Sequence, residues 1–246
     1  GITVAQELNS RSRWETLNLI RNEKFDIILP QVMRDNNIDM WIHAFQQWKT
    51  DPLGIDLGVF NGYFSGYIVF TDRGNGRIER TVLGRHDVML QMTGAYDTYM
   101  SPDDLKNFVS ERNPQRIGIN MSDKISVANG LSHSEYLELD KVLGDTYSQR
   151  IVSAEKLIAD FRSKRVSSEI RAFTKAADFG RRLLERALSN EVITPGVTTR
   201  EDVGWWVQDQ MLLHGMASSF GLSMPGLIHS YTSSADEYRQ TGYTIQ

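Results

Sequence analysis

The chain has 246 residues, 40% of them hydrophobic and 24% charged, and its net charge is −4. This length suits two domains, and the composition is typical of a soluble globular protein with a sizeable core. The 27 basic residues are scattered, which argues against a nucleic-acid partner. No apolar run approaches the roughly 20 residues that span a bilayer, so we expect no membrane partner. Without cysteine there is neither a disulfide nor a thiolate zinc site, and the compartment stays open between cytoplasm and periplasm.

The first 45 residues predict two helices and a strand. Apolar residues recur at helical spacing over 10–22, and a second helix is expected over about 25–36. Residues 38–45 then alternate, with apolar side chains at every second position. This alternation predicts a strand that buries one of its two faces.

The next hundred residues continue to mix the two kinds of element. A Gly-Asn-Gly turn at 74–76 joins two apolar stretches and predicts a hairpin. A Ser-Pro-Asp cap opens a helix over 101–112, a short strand is expected at 117–121, and a helix over 132–143 is predicted to end at Gly144. Strands that alternate with helices indicate an α/β domain.

The second half predicts mostly helix. Helical segments are expected over 154–164, 168–190 and 199–214, followed by a strand at 217–222 and a loop over 223–243. The middle helix is amphipathic. Its apolar stripe, which we predict to be buried, consists of Ile170, Phe173, Ala177, Leu184 and Leu188.

Two short motifs frame that middle helix. Residues 164–170 read KRVSSEI, which is a basic pair, a serine cap and a helix start. Residues 192–201 read VITPGVTTRE, in which a Pro-Gly turn closes the helix and a capping box of Thr198 and Glu201 opens the next one. Taken singly, both are common helix punctuation.

In order and spacing, these motifs resemble the start of the catalytic domain of the "pita-bread" metallohydrolases, which include aminopeptidase P, prolidase, methionine aminopeptidase and creatinase. The first half is similar to the N-terminal domain of the aminopeptidase P-like members. Residues 25–34 and 38–42 resemble its helix and first strand, and residues 119–122 and 129–132 resemble its last strand and the following turn.

The resemblance implies a creatinase/prolidase-like N-terminal α/β domain over 1–152, with a mixed sheet and flanking helices. An incomplete α+β pita-bread domain over 153–246 would follow it. By the same resemblance, the chain ends at Gln246 before the strands that carry the metal ligands of the family.

The chemistry that the resemblance implies is hydrolysis of a peptide bond next to proline. Members of the family hold two divalent ions, Mn, Co or Zn, through two aspartates, a histidine and two glutamates, and a homodimer is expected. We expect this piece alone to bind no metal pair and to be inactive. Two alternatives stay open: a creatinase-like amidinohydrolase that needs no metal, and a non-catalytic module that uses the fold to bind partners.

Few residues in the sequence are candidates for catalysis. The chain has no His-Glu-x-x-His motif and no Gly-x-Ser-x-Gly motif. Asp39 and His43 lie four apart on the predicted strand, and His86 and Asp87 are adjacent, which favours a turn or the surface over a metal site.

His229 is the candidate catalytic residue. It lies in the segment PGLIHSY at 225–231, which resembles the part of aminopeptidase P-like enzymes that carries an active-site histidine. That histidine is not a ligand; it hydrogen-bonds the substrate or the tetrahedral intermediate, a role that suits imidazole near neutral pH. The alternative is a surface-loop histidine.

Overall fold

A computed structural model describes residues 10–59, 62–74, 76–85, 88–216, 242 and 244–245. The chain forms two compact units, one of residues 8–170 and the other of residues 1–7 with 171–246. The strand predicted at 217–222 and nearly all of the loop predicted at 223–243 lie outside the described residues. The assignment of residues 153–246 to a second functional domain stays a prediction.

A six-stranded mixed sheet forms the centre of the first unit, as predicted for the α/β domain. The strand order is β4-β3-β2-β1-β5-β6. β2 pairs antiparallel with β1 and with β3, and the other neighbours pair in parallel, so β2 alone runs against the other five. The strands are β1 Met40–Phe45, β2 Ser65–Asp72, β3 Ile78–Arg85, β4 Thr98–Met100, β5 Ile117–Ile119 and β6 Ile151–Ser153.

Helices flank this sheet on both faces. Those of the first unit are α1 Ser10–Glu23, α2 Leu29–Asp35, α3 Gly54–Leu57, α4 Val88–Gln91, α5 Leu105–Arg112, α6 His133–Ser148 and α7 Glu155–Ser163. A π-helical turn, Lys24–Ile28, joins α1 to α2. α8 Ser167–Ala187 and α9 Arg200–Leu213 follow. None of the described helices combines the length and apolar character needed to cross a bilayer.

β1 is buried on both faces, which corrects the prediction of a half-buried strand. All six of its residues are buried. Trp41 packs in one core cluster with residues of α2 and α7, and Met40 and Ile42 pack in a second cluster with residues of α5 and α6. The alternation was read correctly, but β1 lies inside the sheet, so both faces are covered.

Two of the predicted helix starts are confirmed in detail. Ser101 and Ser132 each accept a hydrogen bond from a backbone N–H of the following turn, in complete capping boxes. Gly144 ends the first segment of α6, as predicted, because its φ and ψ are not helical, and a second helical segment then continues to Ser148. Its φ of +68° places the glycine in the left-handed region and produces a kink there.

The cap of α9 lies one residue later than predicted. Thr199, not Thr198, is the N-cap, and Asp202, not Glu201, completes the capping box. The Thr198 hydroxyl instead accepts from the backbone N–H of Thr194 at 2.8 Å. This hydrogen bond stabilises the Pro-Gly turn, and Thr199, the next residue, caps the helix.

The apolar stripe of α8 is exposed, which corrects the prediction that it is buried. Ile170, Phe173, Leu184 and Leu188 are 54%, 56%, 54% and 57% exposed, and Ala177 is exposed as well. Leu183 and Ala187, beside that stripe, are buried instead. Helical spacing shows that a helix has an apolar face, but it does not show what covers that face.

Truncating a leucine should therefore have different effects in the two settings. Leu83 in β3 is fully buried, so Leu83→Ala should lower the free energy of unfolding by about 2–5 kcal/mol. Leu184→Ala, the matched change in the exposed stripe of α8, should cost less than about 1 kcal/mol. Urea unfolding of both variants measures this, and equal losses would show that the stripe is covered in solution.

Candidate functional site

The carboxyl edge of the sheet collects polar side chains. β1, β3, β4, β5 and β6 run in one direction, so their carboxyl ends meet at the same edge. His43 lies near the end of β1, Arg85 ends β3, and Asn120 follows β5 directly. Open α/β sheets bind ligands outside the carboxyl ends of their strands. This edge is therefore the candidate site of the first unit.

A buried cluster of His43, Asp51 and Asn120 lies at this edge. The Nε2 of His43 is 3.0 Å from the Oδ1 of Asp51, and the His43 side chain is fully buried. The Nδ2 of Asn120 lies 3.3 Å from the same imidazole nitrogen. The Oδ1 of Asn120 accepts from the backbone N–H of Ala44 at 3.2 Å, which fixes the amide orientation.

This geometry assigns the tautomer of His43. The Oδ1 of Asp51 is an acceptor, so the Nε2 of His43 carries the proton and donates it. The Nδ1 of His43 then has no hydrogen-bond partner among the described residues, although it is buried. A carboxylate that orients an imidazole also occurs in general acid-base catalysis. Here the ring of His43 is fully buried, so its hydrogen bond stabilises the fold and the ring is not accessible to a substrate.

Asp51 is held in its ionised form. Burial acts to raise the pKa of Asp51, but the hydrogen bond from His43, the backbone N–H of Leu53 and the charge of Lys49 outweigh it. The pKa therefore lies below its ordinary value of 3.8. The Leu53 N–H donates to Oδ1 at 2.8 Å, which ties the segment after β1 to the cluster.

Lys49 fastens the same edge to the start of α6. Its ammonium donates to the backbone oxygen of Gly130 and to the Oε2 of Glu135, each at 2.5 Å. Gly130 has to be a glycine, because a Cβ there would collide with the carboxylate of Asp51 and the amide of Asn120. The cluster and this turn therefore form one close-packed assembly.

A groove of about 660 Å³ opens beside the cluster, and we call it the edge groove. It is lined by Ala44, Phe45, Gln46, Ser65, Gly66, Tyr67, Arg85, Pro102, Asp103, Lys106, Glu135, Glu138, Lys141 and Val142. His43 is not among these residues although its neighbour Ala44 is. The groove, and not the buried imidazole, is therefore the solvent-facing part of the candidate site.

The candidates from the sequence do not come together. The carboxylate of Asp39 accepts from the backbone N–H groups of Gln115 and Arg116, whereas His43 faces Asp51. His86, Asp87 and His229 lie outside the described residues. Within the described ranges no three His, Asp or Glu side chains are placed to hold a metal ion. These residues therefore do not fit the metal pair that the resemblance implies.

Asp51 and Asn120 were missed at the sequence level. Asn120 lies near the end of the strand predicted at 117–121, and Asp51 precedes a proline shortly after the strand predicted at 38–45. The signal that could have found them is strand direction, because polar residues that follow parallel strands meet at one edge. The sequence alone did not fix which strands are parallel neighbours.

Adding a methyl group at Gly130 should disturb this assembly. Gly130→Ala forces apart the Asp51 carboxylate and the Asn120 amide, so we expect a loss of about 1–3 kcal/mol in unfolding free energy. Gly180→Ala is the control, because nothing lies within 4 Å of a Cβ at that α8 position. The control should match or exceed the wild type in thermal unfolding, and equal behaviour of both variants would contradict the assembly.

Replacing Asp51 by asparagine should give a pH-dependent loss. The folded pKa lies below 3.8, so the carboxylate stabilises the fold above pH 3.8, and this contribution is lost as the pH falls through the folded pKa. At neutral pH, Asp51→Asn should cost about 1 kcal/mol, since charged hydrogen bonds exceed neutral ones by that much. Urea unfolding should find a difference that shrinks on acidification. A difference independent of pH would contradict this, and Asp145→Asn on α6 serves as the exposed control.

Comparison with known proteins gives structural matches only. No protein-family model and no curated protein matches the chain. Similar solved structures include the Xaa-Pro dipeptidase from Bacillus anthracis, with 16% identity, a TM-score of 0.49, and coverage of 77% of this chain and 48% of that one. The prolidase from Pyrococcus horikoshii OT3 has 18% identity and a TM-score of 0.47 over 78% and 48%. The prolidase from Pyrococcus furiosus has 19% identity and a TM-score of 0.45 over 76% and 52%. The chain spans about half the length of each of these proteins, which carry the names of the enzymes that its motifs resemble.

Proposed function

We propose that this chain is part of an Xaa-Pro metallopeptidase, an enzyme that hydrolyses peptide bonds next to proline. In this proposal residues 1–152 are the N-terminal α/β domain and residues 153–246 are the start of the pita-bread domain. The observation that carries the proposal is the order of elements along the chain. The mixed sheet and α7 are followed by the serine-started α8, the Pro-Gly turn and the capped α9, in the order that the sequence motifs require.

The proposal places the chemistry outside the described residues. It requires a pair of divalent ions, Mn, Co or Zn, whose role is to generate the nucleophile and to stabilise the developing charge. The described residues do not supply such a ligand set. Within this chain, His229 is proposed to hydrogen-bond the substrate or the tetrahedral intermediate without holding metal.

A binding module without catalysis is the second candidate. It is favoured by one observation, which is that the polar groups at the carboxyl edge converge on an open groove and not on a set of metal ligands. A metal-independent amidinohydrolase of the creatinase kind is a third possibility within the same family. The homodimer expected from the resemblance stays a prediction as well.

The mutation of His229 tests the peptidase proposal in the intact protein that contains this chain. His229→Ala should lower the turnover of a Xaa-Pro dipeptide by about a hundred- to a thousand-fold, as loss of one preorganised donor does, with bound metal unchanged. His133→Ala, an exposed histidine at the start of α6, is the matched control and should keep wild-type kinetics.

Three results would decide against parts of the proposal. Wild-type kinetics for His229→Ala would make His229 a surface histidine. Loss of metal together with activity would make it a ligand. An intact protein that neither binds a divalent pair nor cleaves Xaa-Pro peptides, measured by metal analysis after dialysis, would favour the binding module.

A further inference from the structure

The edge groove brings together strands and helices that are distant in sequence. Its floor comes from the end of β1 and the start of β2, where Ala44 pairs with Tyr67 across the two strands. Its walls come from α6 on one side and from the turn before α5 on the other. A volume of about 660 Å³ falls within the range of roughly 300–1,000 Å³ typical of small-molecule sites.

The α6 wall of the groove carries two carboxylates. Glu135 and Glu138 lie three residues apart on α6, so they share one helix face. Burial, followed by the charges of Glu138 and Glu135, raises the pKa of the Tyr67 phenol to about 12. Both carboxylates therefore act on the phenol at the floor. At neutral pH the phenol keeps its proton, and its hydroxyl has no hydrogen-bond partner in the part of the chain that the structure describes.

The two carboxylates on this wall differ in their partners and in their exposure. Glu135 uses Oε2 for Lys49 and for the backbone N–H of Ser132, whereas its Oε1 is buried and has no partner among the described residues. Glu138 is exposed and forms no ion pair with any described residue. The Oε1 of Glu135 is covered by protein atoms, so Glu138 is the carboxylate on this wall that a ligand in the groove can reach.

Basic groups line both sides of the groove. Lys106 of α5 and Lys141 of α6 line the groove, are exposed, and form no ion pair with described residues. Arg85 is only loosely paired, with 3.7 Å between its guanidinium and the Asp103 carboxylate. The groove therefore presents one unpaired carboxylate and two unpaired ammonium groups to a ligand.

We propose that the edge groove binds a small zwitterion with a free ammonium and a free carboxylate, of the size of a dipeptide. The ammonium lies against Glu138 and the hydroxyl of Tyr67. The carboxylate lies against Lys106 and Lys141. A ligand with a single charge would satisfy only one of the two kinds of charge in the groove, and the mixed lining does not suit an apolar molecule. The site is independent of the proposed peptidase activity, because it needs neither metal nor His229.

Calorimetric titration with alanylalanine tests this site. The free dipeptide should bind, and the N-acetylated and C-amidated forms should each bind about ten-fold more weakly, because each lacks one charged end. Glu138→Gln should weaken binding of the free dipeptide by about ten-fold but should leave the N-acetylated form unaffected. Lys141→Met should show the reverse pattern, with loss for every peptide that keeps its carboxylate.

Matched controls come from α6 and α7. Asp145→Asn on α6 and Lys156→Met on α7 change exposed charges that do not line the groove, and they should bind alanylalanine as the wild type does. Circular dichroism checks that each variant is folded. If Lys141→Met does not fold, Lys106→Met repeats the test of the basic groups. Equal binding of all three peptides, equal losses in the controls, or no binding up to about 10 mM peptide would each overturn the proposal. None of these outcomes bears on the peptidase test.

Discussion

The rest of the first unit depends on the complete burial of β1. This strand pairs antiparallel with β2 on one side and parallel with β5 on the other, and helices cover both of its faces. The register of such a strand is strongly specified, because a shift by one residue would move every side chain of β1 from one core cluster to the other. Trp41 packs against Phe70 and Phe161, so the same strand links the sheet to α7.

The position of β1 also explains why a polar cluster forms within an apolar core. His43 belongs to the buried strand, so its imidazole cannot reach water and has to be satisfied by protein groups. Asp51 accepts from Nε2, whereas the Asn120 amide bonds the backbone of Ala44 beside the ring, and Nδ1 has no partner among the described residues. Both Asp51 and Asn120 come from segments that leave the sheet at its carboxyl edge. The edge groove opens at the same edge, where residues of α6 and of the start of α5 line it together with the ends of the strands.

The helices α8 and α9 bury far fewer side chains than the strands of the first unit. α8 buries Leu183 and Ala187 but leaves most of its apolar stripe exposed, and α9 buries only Arg200, Val203 and Gly204. Local interactions also stabilise these helices, namely the capping box at Thr199 in α9 and charge pairs such as Arg181 with Glu185 in α8. A charge pair on a helix surface is worth fractions of a kcal/mol and an N-cap about 1 kcal/mol, so helices of this kind take most of their stability from packing of the apolar face.

The sequence by itself determined the features that depend on neighbouring residues: the alternation of strands and helices, the hairpin between β2 and β3, the caps at Ser101 and Ser132, and the class of fold. Only the tertiary structure decided the features that depend on distant residues. These are the burial of both faces of β1, the short strand β6, the meeting of His43 with Asp51 and Asn120, and the charges that line the edge groove. The physical reason is range. Caps and turns act over three or four residues, whereas Ala44 and Asn120 meet across a separation of 76 residues, which only the order and direction of the strands can specify.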